Sequence, residues 1–188
     1  MPKRALILSG SGMLTRCAEL LVADGWRVVL PSRRYCPLPV RPSRPRESTA
    51  PAGKALWVEA SWAEPRRLAD GAARALDGPA DLLIAWLHAI YRDAVLDAVA
   101  PLLADDAPVV EVYGCDSGDP ADAVPEQWFP ARPSQRVQLL FAAQGAAVRG
   151  LTHAEVTDGV AAAVRRAVAE LPSSVHQIGE RQQSAAMA

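Results

Sequence analysis

The sequence is poor in lysine, cysteine and aromatic side chains, and each shortage closes off some chemistry. Lysine occurs only at Lys3 and Lys54. No Gly-Lys-Ser/Thr follows the glycines near the N-terminus, so a phosphate loop of the P-loop kind is excluded. The three cysteines, Cys17, Cys36 and Cys115, are odd in number and contain no CxxC, which speaks against a disulfide framework or a zinc site and fits a reducing compartment. His88, His153 and His176 show no metal-ligand spacing, so no metal is expected. No Gly-x-Ser-x-Gly elbow is present, which disfavours a Ser-His-Asp hydrolase. The net charge is only -1, so no general polyanion-binding surface and no nucleic-acid partner are expected. No apolar run approaches the ~18 residues of a membrane span, and the opening apolar run is too short for a signal-peptide core. A cytoplasmic protein without membrane contact is the expectation.

What the chain does have is alternation. Short, continuously apolar runs at 5–9, 27–31, 55–59, 81–88, 108–113 and 136–141 read as strands covered on both faces, with a weaker seventh at 174–179. Between them lie helical patterns. One puts Met13, Cys17, Leu20 and Leu21 on a common face before a stop at Gly25; residues 89–100 do the same with Ile90, Ala94, Val95, Ala98 and Val99. Ser61 with Glu64 reads as a capping box before a helix ending near Leu76. Thr152 with Glu155 reads as a second, before Val156, Val160, Ala163, Val164, Ala167 and Leu171. Strands alternating with helices imply parallel pairing through right-handed crossovers, hence an α/β domain with a doubly wound parallel sheet. It is expected to span 1–179, with a flexible tail at 180–188.

Two segments break the rhythm. Residues 33–54 carry five prolines and six basic residues against one glutamate, and read as a basic loop. Residues 114–135 carry four prolines and read as a lid-like loop; Trp128 and Phe129 within it fit either a hydrophobic flap or an oligomer contact. Trp57, Trp62 and Trp86 read first as core.

The stretch Ser9, Gly10, Ser11, Gly12, Met13, Leu14 follows the first strand and opens the first helix. In that geometry backbone N–H groups and the helix N-terminus face an anion, Gly10 permitting the turn and Gly12 the approach of a diphosphate. Thr15 stands where a third glycine is usual. The second strand ends in Ser32, Arg33 and Arg34, where a carboxylate would select the ribose hydroxyl of NAD. Guanidinium groups suit a ribose phosphate instead, so NADP(H) is the expected cofactor.

The quoted run "ALILSGSGMLTRCAELLVADGWRVVLPSRR" resembles the opening of short-chain dehydrogenase/reductases, and "VEASWAEPRRL" resembles their third strand. The resemblance covers residues 4–113. It implies a Rossmann-type NAD(P)-binding fold, an adenine site beside Glu59, Ala60 and Ser61, a cofactor wall near Trp86, and homo-oligomers. The family's active site joins a serine after the fifth strand to a Tyr-x-x-x-Lys on the next helix, where the lysine lowers the tyrosine pKa. This chain departs there: Tyr35, Tyr91 and Tyr113 are followed four residues on by Pro39, Val95 and Ser117. Ala85, Trp86, Leu87 and His88 replace the Asn-Asn-Ala-Gly that ends the family's fourth strand.

Other polar residues at the strand ends must therefore carry any chemistry. His88 can act as acid or base near neutrality, or be structural, bonded to a loop carbonyl. Tyr113 can donate to a developing alkoxide, or serve packing; with no lysine near, its pKa stays near 10. Cys115 beside Asp116 is a poor nucleophile. The reading is an atypical NADP(H)-dependent oxidoreductase acting on a small organic carbonyl, imine or alkene. Two alternatives stand: a non-catalytic NADP(H)-binding sensor or partner protein, and a dehydratase, cyclase or isomerase on the same scaffold.

Overall fold

A computed structural model describes residues 2–9, 13–33, 53–114, 126–144 and 147–180. Strands apolar along most of their length need cover on both faces, and such strands lie at the centre of a seven-stranded sheet. Its strands are β1 (Arg4–Ser9), β2 (Arg27–Ser32), β3 (Lys54–Glu59), β4 (Leu82–Trp86), β5 (Val109–Tyr113), β6 (Ser134–Leu139) and the last strand, β9 (Ser174–Ile178). Their order is β3-β2-β1-β4-β5-β6-β9, and every pairing is parallel. The doubly wound parallel sheet of a Rossmann-type fold is thus present.

Among the described residues four α-helices cover it: α1 (Thr15–Ala23), α2 (Pro65–Leu76), α3 (Ala89–Val99) and α4 (His153–Val168). Period-two alternation on the central strands feeds two cores. Ala5, Ile7, Leu82, Ile84, Val110 and Val112 face α1 and α4; Leu6, Leu8, Leu83, Ala85 and Val109 face α2 and α3. Each fully buried leucine or isoleucine contributes about 1.5–3 kcal/mol relative to exposure. Gly25, at φ 85°, ends α1 in the left-handed conformation expected of a C-terminal glycine.

Several sequence expectations need correction. Ser61 and Glu64 form no capping box: α2 starts at Pro65, Glu64 makes no side-chain cap, and Ser61 Oγ instead accepts from Ala63 N–H at 3.3 Å. Thr152 and Glu155 do form one, each side chain bonding the other's backbone N–H. On α3 the buried residues are Val95, Leu96 and Val99, whereas Ile90 is 74% exposed and Ala94 is exposed. The alanines misled the pattern; the larger Leu96 sets the inward face. Leu171 lies beyond α4 and is exposed. Lys54 belongs to β3, and Ser134 and Gln135 open β6, so both loops are shorter than expected. Glu180 is held rather than frayed, in an antiparallel bridge to Phe141. A hairpin, β7 (Phe141–Gln144) with β8 (Ala147–Gly150), precedes α4 and was not expected.

The β5 to β6 crossover is unusual. Among its described residues, 114 and 126–133, none is helical. Trp128 and Phe129 pack against the α2–α3 core and so serve as cover there. Arg132 N–H donates to Phe129 O at 3.0 Å, and Gln127 Nε2 donates to Phe129 O and Arg132 O at 2.8 and 2.7 Å.

Candidate functional site

The chain winds one way from β1 to β2 and β3, and the other way from β1 to β4 and β5. The carboxyl ends of β1 and β4 therefore flank a topological switch point, the place where open α/β sheets bind ligands. Ser9, the last residue of β1, stands in register with Trp86, the last of β4. Gly10, Ser11 and Gly12 lie outside the described residues. Beyond them Leu14 is the N-cap of α1, with no side-chain cap and no acidic residue in the first turn. Its own side chain is buried in the core, and Met13 is half-buried against the same cluster. Leu14 itself offers no side chain to cap the helix, and the dipole of α1 favours an anion at that end.

A second group forms at the ends of β2 and β3, where Ser32 and Glu59 are in register. Ser32 Oγ accepts from Trp57 Nε1–H at 2.9 Å, and its carbonyl accepts from Ala60 N–H at 3.2 Å. Glu59 and Arg33 are exposed, Ala60 is buried and Ser61 half-buried. Arg34 lies outside the described residues.

His88 follows β4 as the N-cap of α3, with extended backbone at φ −64° and ψ 138°. The residue is exposed, and its carbonyl accepts from Tyr91 N–H at 3.0 Å. The Tyr91 ring lies 6.2 Å from that of Trp62, so aromatic side chains line this rim.

Tyr113 ends β5 and is buried. Its hydroxyl donates to the carboxylate of Glu111, two residues back on the same face of the strand. Glu111, 3% exposed, also accepts from Trp128 N–H at 3.2 Å. The Arg92 guanidinium of α3 sits 5.0 Å over the Tyr113 ring, and Arg136 of β6 is in register with Glu111. Burial pushes the Glu111 carboxyl above its ordinary range, against the opposing hydrogen bonds from Tyr113 and Trp128 and the charges of Arg136 and Arg92. Burial, then the nearby Glu111 carboxylate, pushes the Tyr113 phenol above its ordinary value. Glu111 is the site residue that sequence reading missed. Its only signal was a carboxylate inside an apolar strand, two positions from a tyrosine.

Cys115, Asp116 and Ser117 lie outside the described residues. Among the described residues no cluster of metal-ligating side chains occurs, and no helix is long and apolar enough to cross a membrane.

This architecture defines a doubly wound domain with its switch point between the carboxyl ends of β1 and β4. Among solved structures it is similar to the NADH-dependent reductase A1-R′ complexed with NAD, at 17% identity and TM-score 0.60, covering 95% of each chain. It is also similar to a short-chain dehydrogenase/reductase from Serratia marcescens, at 12% identity and TM-score 0.56, over 94% of this chain and 96% of that one. A short-chain dehydrogenase/reductase of the glucose/ribitol dehydrogenase type from Brucella melitensis gives 12% identity and TM-score 0.54, over 95% and 96%. No protein-family model and no curated protein matches the sequence.

Proposed function

We propose that this chain is an atypical short-chain dehydrogenase/reductase that binds NADP(H) and reduces a small organic carbonyl, imine or alkene. The observation that carries this reading is the position of α1: it begins just after Gly10 and Gly12 of the sequence, follows β1 at the β1/β4 switch point, and has at its N-cap Leu14, whose side chain makes no cap. That combination suits a diphosphate. The similar reductase A1-R′ is described as NADH-dependent. Preference here for NADP(H) rests on Ser32, Arg33 and Arg34, because a guanidinium pair takes a ribose phosphate where NAD offers only hydroxyls.

In the reaction, the cofactor supplies hydride. The chain's own residues would bind it and handle the proton: main-chain N–H groups of residues 9–14 would hold the diphosphate, Glu59, Ala60 and Ser61 would flank the adenine, and Trp86 would border the nicotinamide end. His88, exposed beside β4, and Tyr113, at the end of β5, are the proton-handling residues. A homo-oligomer in the cytoplasm completes the proposal.

Calorimetry with NADP⁺ and NAD⁺ tests the cofactor, and NADPH oxidation over a panel of aldehydes, ketones, imines and enones tests the activity. Tighter binding of NADP⁺ and turnover of one panel member are the expected results; absence of heat with both cofactors overturns the reading. One observation favours a second reading, a non-catalytic NADP(H)-binding sensor or partner: no tyrosine in the sequence has a lysine four positions on. It predicts cofactor binding without turnover. Product formed with no change in cofactor absorbance would instead indicate a dehydratase, cyclase or isomerase.

A further inference from the structure

A glutamate in the interior of a central strand is expensive. Replacing it with an apolar residue would avoid a desolvation penalty of several kcal/mol, so its surroundings have to explain it. Glu111 is 3% exposed, beneath Trp128 and beside α3. It has three kinds of neighbour. The Tyr113 hydroxyl and Trp128 N–H donate to its two oxygens. Arg136, in register on β6, and Arg92, from α3, face it with positive charge.

These neighbours pull in opposite directions. Loss of water favours the neutral acid, whereas two guanidinium groups and two donors favour the carboxylate. A group so balanced is suited to hold a proton and to release it. Tyr113 has the complementary difficulty. A buried phenol beside a carboxylate and without a lysine cannot stay ionised near neutral pH, so it can give up its proton only while taking another. Its hydrogen-bond partner among the described residues is Glu111.

We propose that Glu111 and Tyr113 act as one proton-transfer pair, the carboxyl supplying the proton that the phenol passes to the substrate oxygen. The proposal rests on the reductase reading and deepens it. With Glu111 protonated, the hydrogen bond of the pair reverses, the carboxyl donating to the phenol oxygen and the phenol O–H turning to the substrate. As hydride adds to the carbonyl carbon, the π electron pair moves to oxygen and the Tyr113 O–H bond breaks to protonate it. The Glu111 O–H bond breaks at the same time to restore the phenol. Glu111 is left as a carboxylate facing Trp128 N–H, Arg92 and Arg136, and regains its proton from the Tyr113 hydroxyl as water at the vacated substrate position reprotonates the phenol. The phenol never carries a full negative charge, which removes the need for a lysine. Glu111 is a positioning and proton-supplying residue that acts through Tyr113.

Difference infrared titration of the free protein, wild type minus Glu111→Gln, tests the pair without any cofactor. The expected result is a protonated-carboxyl band that is lost in Glu111→Gln, displaced in Tyr113→Phe, and titrates above the ordinary ~4.3 of glutamate. A Glu111 ionised down to that ordinary value overturns the proposal. With NADPH and the best panel substrate, Glu111→Gln and Tyr113→Phe are each expected to lower kcat about a hundredfold or more, with cofactor affinity unchanged and no further loss in the double variant. Glu111→Asp should restore part of the rate. Wild-type kcat and pH profile in folded Glu111→Gln would overturn the relay and leave the reductase reading intact. Absence of cofactor binding in the wild type would overturn the reading, and the relay with it, whatever the infrared titration shows of the pair.

Discussion

Cys17 sits on the inward face of α1 with no exposed surface. Burial pushes its thiol up to about 12, against the opposing charges of Arg165 and Arg16, so almost none of it is thiolate at neutral pH. Native Cys17 should therefore resist alkylation by iodoacetamide and become reactive only as the protein unfolds. Time-resolved mass spectrometry across a urea series checks this, and rapid labelling in native buffer would contradict it. His176 titrates in a different setting. Its Nε2 lies 2.9 Å from Gln135 Oε1 and 3.0 Å from Ser174 Oγ, and burial, then the Arg166 charge, lowers its pKa. The sign follows from linkage: above the ordinary ~6.5 the ring is neutral in both folded and unfolded chains and contributes nothing. As pH falls through that value the unfolded chain takes up the proton first, and stability is lost until the lower folded pKa is passed. Urea midpoints should fall between about pH 7.5 and about pH 5, either side of that ordinary value. His176→Gln should fall less over the same interval; an equal fall would locate the effect elsewhere.

At the level of elements, close approaches of backbone decide where substitution is tolerated. A Cβ on Gly53 would come within 2.4 Å of Val22 O, 2.6 Å of Trp26 O and 2.8 Å of Trp26 N, all main-chain atoms at the α1–β2 corner. None can swing away as a side chain can. Gly53→Ala should destabilise by about 1–3 kcal/mol, the usual range for overpacking, and lower Tm by roughly 2–4 °C for each kcal/mol. Thr152→Ala, which removes the α4 cap, should cost about 1 kcal/mol, measurable by the same thermal melts. The cap was readable in the sequence because its two residues bond each other locally. So were the seven strands of the sheet, the central ones by an unbroken apolarity that reflects cover on both faces and the edge strand β9 more weakly, since polar residues interrupt its apolar ones. The β7–β8 hairpin was not: "FAAQGAAVRG" is mostly alanine and glycine, which carry little strand preference, and only pairing makes it a hairpin. Of the candidate site, the strand-end residues could be placed because topology puts strand ends together. Glu111 escaped because its role depends on Trp128, seventeen residues away, and on Arg92 from another element.

Across the whole molecule, the sheet is one wall shared by two cores. Alternate residues of β1, β4 and β5 enter the α1–α4 side and the α2–α3 side, so neither core can come apart without unpairing strands that the other needs. The two faces should therefore unfold together. Leu21 of α1 and Leu68 of α2 are buried in opposite clusters, at 2% and 0% exposure. Truncating either to alanine should cost about 2–5 kcal/mol, from lost transfer energy and the cavity left behind. With the sheet between them and no shared partner, the two losses should add to within about 0.5 kcal/mol in Leu21→Ala/Leu68→Ala. Against a typical total of about 5–15 kcal/mol, the double variant would be close to unfolded at room temperature, whereas each single variant should keep one transition. The check is urea unfolding followed by far-ultraviolet circular dichroism and by tryptophan fluorescence. Trp26 reports from the first core, and Trp62 and Trp128 from the second. Coincident curves for both single variants support one cooperative sheet. A Leu68→Ala curve that splits between the probes would mean instead that the α2–α3 side opens alone, taking the Glu111–Tyr113–Trp128 unit with it.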